Sequence, residues 1–76
     1  MSRNYRVIEL APFHGEHFLL HIHEVYYDDK GKPIGYITDA VTAEAKSIEG
    51  MHCVLDRMRD VSDKPILKGS DLEKAD

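Results

Sequence analysis

The sequence predicts one α+β domain: a three-stranded antiparallel meander, one amphipathic helix and a short C-terminal edge strand, in the order β-β-β-α-β. Three observations carry this expectation. Runs rich in β-branched and aromatic residues with period-two alternation fill residues 4–11, 17–27 and 33–39. The second and third runs are joined by Asp28-Asp29-Lys30-Gly31-Lys32, which has the chemistry of a hairpin turn. Beyond Ser47, the residues Ile48, Met51, Val54, Leu55, Met58 and Val61 recur at helical spacing and mark a single apolar stripe.

The first strand, Asn4 to Ala11, places Arg6, Ile8 and Leu10 on one face and Tyr5, Val7 and Glu9 on the other. Pro12 and Gly15 then break the chain into a loop through Glu16. His17 to Tyr27 forms a long second strand. In the turn, Asp suits the start and Gly31 takes positive φ without a Cβ clash. Pairing Asp28 with Lys32 sets Tyr26 opposite Ile34 and Glu24 opposite Tyr36, with His23 beside Ile37 and His21 beside Asp39. A slip of one residue would invert every face. The third strand runs from Pro33 to Asp39. Ser47 is the better helix N-cap, with Glu49 in the first turn. Pro65 ends the helix, and Ile66-Leu67 adds the edge strand. The expected domain is 4–67, flanked by an N-terminal tail at 1–3 and a flexible polar tail at 68–76.

Seventy-six residues give a thin core. A chain this short buries only about 60% of the surface its unfolded form exposes, so a disulfide, a metal or a second subunit is expected to help. Cys53 is the only cysteine, which excludes an internal disulfide and fits a reducing compartment. The net charge of −4, with lysines and arginines scattered among acids, argues against nucleic-acid binding by this chain alone. No apolar run approaches the roughly 20 residues of a membrane span, and the first residues open no hydrophobic signal region. The expected location is the cytoplasm.

One helix covers one side of a sheet. The expected core face holds Ile8, Leu10, Phe18, Leu20, Ile22, Tyr26, Ile34 and Tyr36. The opposite face carries Tyr5, Val7, Leu19, Val25, Tyr27 and Ile37, more apolar surface than a monomer usually leaves bare. These six residues are the expected interface, for a second copy or for another protein.

Four of the five histidines fall between His14 and His23. His21 and His23 share one strand face, about 6.5–7 Å apart at Cα, and His17 or Asp39 could complete a Zn2+ site. Against this stands the plainer reading of strand histidines, with His21 bonded to Asp39. His52 and Cys53 do not face each other on a helix, and Glu49 and Asp56 disfavour a thiolate at Cys53. Glu24 is the one acid in the middle of the apolar face. No nucleophile elbow, phosphate loop or zinc framework is present, so no catalytic residue is assigned.

The strands ending in Thr38-Asp39, followed by a short loop and Ser47-Ile48-Glu49 opening the helix, resemble the compact domain of HicB-type antitoxins over Tyr5 to about Val61. The resemblance implies a partial RNase H-like fold. The acidic Gly-Gly-Tyr turn of that family is missing, and so is its additional C-terminal DNA-binding segment, so repressor activity is not implied. The tract His23-Glu24-Val25-Tyr26-Tyr27-Asp28 through Gly31-Lys32-Pro33 is also similar to small bacterial proteins without an assigned function. The functional expectation is a non-catalytic protein-interaction module, homodimeric through the sheet face opposite the helix. The alternative is a small metal-binding protein using the strand histidines.

Overall fold

The computed structural model describes residues 2–10 and 19–75. The elements in chain order are β1 (Ser2–Leu10), β2 (Leu19–Tyr27), β3 (Pro33–Ile37), α1 (Ile48–Ser62), β4 (Leu67–Lys68), a 3-10 turn (Gly69–Asp71) and β5 (Glu73–Ala75). Among the described residues, one sheet holds five strands in the order β4-β1-β2-β3-β5. The α+β class and the meander-then-helix order hold, but the sheet is mixed. β1, β2 and β3 are antiparallel, whereas β4 runs parallel to β1 and β5 parallel to β3. The expected tails also differ. Ser2 and Arg3 already pair with Tyr27 and Tyr26, and residues 67–75 supply both edges of the sheet. The Pro12–Glu16 loop and the start of the second strand lie outside the described residues.

The hairpin begins as its turn chemistry requires. Gly31 sits at φ +80°, in the left-handed region that a Cβ disfavours. Asp28 secures the turn through its own carboxylate, which accepts from the amides of Lys30 (2.9 Å) and Lys32 (2.8 Å). The Asp28 amide donates to the Lys32 carbonyl at 2.9 Å, and Tyr27 stands opposite Pro33.

One residue later the register shifts. An irregularity between Tyr26 and Tyr27 sets Tyr26 opposite Gly35 and Val25 opposite Tyr36. Ile34 is the extra residue of this bulge and is left exposed. The expected pairs Tyr26–Ile34 and Glu24–Tyr36 are therefore off by one, and Tyr36 moves to the Val25 face. A second parity change occurs between β1 and β2, where Ile8 faces His21 and Tyr5 faces Glu24. The even residues of β1 thus share a face with the odd residues of β2. This inner face holds the buried core of Ile8, Val25, Tyr27 and Tyr36, with Leu10, Leu67 and Leu72 packed against it.

The C-terminal segment explains why that face is buried. In a flat sheet, β4 and β5 would lie four strand spacings apart, about 19 Å. The path from Lys68 to Glu73 passes through a 3-10 turn, which advances only about 2 Å per residue. So short a link cannot span a flat sheet, so the sheet curls, with its concave side toward the link. Gly69 is buried there, and a Cβ at this position would run into the Leu10 side chain and crowd the Glu9 carbonyl at 3.2 Å.

The outer face carries α1. Ser47 caps the helix, its hydroxyl accepting from the Gly50 amide at 3.0 Å, and the Asp63 amide closes the far end on the carbonyls of Asp60 and Val61. Val54, Met58 and Val61 share a groove of about 220 Å3 with Tyr5 and Ile22 of the sheet. Nothing on the helix is buried.

Candidate interaction surface

The six residues expected at an interface do not share one free face. Val25 is fully buried and Tyr27 nearly so, both inside this chain's own core, which removes them as surface residues. The reason is the C-terminal segment, which covers the odd face of β2. Tyr5 and Val7 lie on the outer face, opposite Glu24 and Ile22. Leu19 remains half exposed at the start of β2, and Ile37 is half-buried at the end of β3.

The apolar surface left uncovered is instead built from α1 and the outer face. One flank of the helix stripe (Val54, Met58, Val61) lies over Tyr5 and Ile22. The other flank faces away from the sheet: Ile48 is 66% exposed and Leu55 49%. On the sheet, Tyr5 and Leu20 are also exposed. Ile48, Met51 and Leu55 follow at intervals of three and four, the spacing of a helix–helix seam. That signal was present in the sequence, but a single apolar stripe does not say which of its flanks meets the sheet.

Arg3 frames this surface. Its guanidinium lies 3.1 Å from the Glu24 carboxylate and 6.0 Å from the centre of the Tyr26 ring. Tyr26 first and Glu24 second raise its pKa above the ordinary arginine value. Glu24 therefore serves an exposed ion pair on the outer face, away from the Tyr36 side chain.

The histidines separate. His21 is exposed and His23 is buried, although their rings stand edge to face with centroids 5.9 Å apart. His23 Nδ1 lies 2.7 Å from the Ile37 carbonyl, so Nδ1–H donates and Nε2 is left as the acceptor. Asp39 is exposed, and no hydrogen bond joins it to His21 among the described residues. His17 lies outside them. Among the described residues, no group of three or more His, Cys, Asp or Glu is placed to hold a metal ion.

On the inner face, sequence reasoning missed a polar cluster. Arg6 stands directly opposite His23. One guanidinium nitrogen donates to the Tyr27 hydroxyl at 3.1 Å and another to the Pro65 carbonyl at 2.5 Å, while Tyr27 donates to Asn4 Oδ1 at 2.7 Å. Arg6 Nε and His23 Nε2 are both buried without a partner among the described residues. The sequence places Arg6 on one face with Ile8 and Leu10, but the groups that hold it there, the Tyr27 hydroxyl and the Pro65 carbonyl, come from distant parts of the chain. Cys53 is exposed on the helix.

No helix among the described residues is long and apolar enough to cross a membrane. No protein-family model, curated protein or solved structure matches this chain.

Proposed function

We propose that this chain is a non-catalytic protein-interaction module that self-associates through α1 and the outer face of the sheet. The observation that carries the reading is a fifteen-residue helix with an apolar stripe and no buried residue. An isolated helix of this length is marginal in water, and helices in proteins draw most of their stability from packing an apolar face. Here the sheet receives only one flank of the stripe.

The exposed side chains support the same reading: Ile48 and Leu55 are 66% and 49% exposed on one flank of the helix, and contiguous apolar surface of this kind usually marks a contact site. A second copy fits because a seam of Ile48, Met51 and Leu55 can meet its own copy across a two-fold axis. Burying about 500 Å2 of apolar surface per subunit would contribute about 12 kcal/mol before the costs of association. The HicB-type resemblance and a cytoplasmic location remain part of this proposal and assign no activity.

Sedimentation equilibrium at micromolar concentration tests it. The expected mass is twice the 8.7 kDa of one chain, returning to the monomer in Leu55→Glu. A thermally stable parent monomer would refute self-association.

A further inference from the structure

A second feature lies away from the helix, where the C-terminal link meets the ends of β1 and β3. An open cleft of about 680 Å3 there is lined by Glu9, Leu10, Tyr36, Lys68, Ser70 and Lys74, among others. Its volume falls within the range of small-molecule sites, which favour barrel mouths and combine apolar walls with a few convergent polar groups.

The donors are more informative than the volume. Lys68 comes from β4, opposite Glu9, and Lys74 from β5, opposite Tyr36, and both residues line the cleft. Neither forms an ion pair among the described residues, and Ser70 adds a hydroxyl. Tyr36 is only 3% exposed, and its ring packs edge to face on His23 at 5.2 Å. Its hydroxyl nevertheless makes no hydrogen bond among the described residues. That hydroxyl is not among the atoms cut off from solvent, and Tyr36 lines the cleft, so a partner can reach it there.

We propose that this cleft binds a small organic carboxylate. Lys68, Lys74, Ser70 and the Tyr36 hydroxyl are the donors to its oxygens, and Leu10 is the wall for its apolar body. Among the described residues of the lining, two lysines stand against one glutamate, which suits an anion. Hydrogen bonds to a charged group are roughly twice as strong as neutral ones, so the carboxylate carries the recognition and the apolar body adds to it.

Amide chemical-shift titration of the full chain with benzoate, phenyl phosphate and benzamide tests this. Benzoate should give saturable shifts at Tyr36, Gly69 and Ser70, with benzamide giving none. In a Lys68→Ala, Lys74→Ala variant that keeps the parent melting temperature, benzoate affinity should fall about tenfold or more. Tyr36→Phe, which keeps the packed ring, should weaken it several-fold and serves if the lysine variant does not fold. Absence of saturable shifts at millimolar benzoate, equal binding of benzamide, or unchanged affinity in the folded variants would overturn the proposal. Clearly tighter binding of phenyl phosphate would overturn the carboxylate assignment in favour of phosphate esters.

Discussion

The Tyr27 hydroxyl donates to Asn4 Oδ1 at 2.7 Å while accepting from Arg6 at 3.1 Å. One phenol therefore links two positions of β1 to the end of β2, beneath the core. Because the cluster is partly buried, removing the phenol leaves a guanidinium nitrogen and a side-chain amide short of a partner.

Tyr27→Phe should destabilise the fold by about 1–3 kcal/mol. The loss should be partly shared with Asn4→Ala, since the two residues form one network. Urea denaturation of both single variants and the double variant measures this. Strictly additive losses would show that the contact carries no coupling.

Gly31→Val should cost at least about 1 kcal/mol, because a β-branched residue resists the φ of +80° found there. No atom crowds a Cβ at that site, so the cost would come from the backbone alone. Unchanged thermal stability would mean the turn tolerates another conformation.

Charges introduced on the two faces should act differently. Val25 has no exposed surface, so Val25→Glu should unfold the chain by placing a carboxylate in the core. Leu55 is already half exposed, so Leu55→Glu should leave far-ultraviolet circular dichroism intact. A folded Val25→Glu variant would contradict the burial of the inner face.

Gly69→Val should destabilise by about 1–3 kcal/mol through overpacking. The Leu10 side chain could swing aside from a new Cβ, but the Glu9 carbonyl at 3.2 Å and Ile8 Cγ2 at 3.3 Å leave a branched residue little room. Thermal denaturation checks this, and a variant as stable as the parent would show that the link does not pack tightly on β1.

What the sequence made legible was local. Ser47, Asp28 and Gly31 carry their instructions within a few residues, and the helix and the hairpin turn form where those residues place them. The faces were not legible, because each depends on a register set elsewhere. The bulge at Ile34 moved Tyr36 across the sheet, and nothing in Pro33-Ile34-Gly35 distinguishes a bulged strand from a regular one. The C-terminal strands were hidden for a related reason. Lys68 and Lys74 sit in short, polar edge strands, a composition that from sequence reads as a tail. The expected interface fails for the same reason: Val25 and Tyr27 read from sequence as part of an open face, which residues 67–75 close.

The pairing of Ile8 with Leu67 bears on how the chain comes into being. During synthesis the three central strands emerge first and can form their hairpins while the concave side is still bare. Ile8, Val25 and Tyr36 stay wet until Leu67 and Leu72, forty or more positions beyond the first hairpin, have left the ribosome and crossed over them. Contacts so distant in sequence slow folding. The nascent chain therefore passes through a period with an apolar sheet exposed, in which a holding chaperone would find its natural substrate.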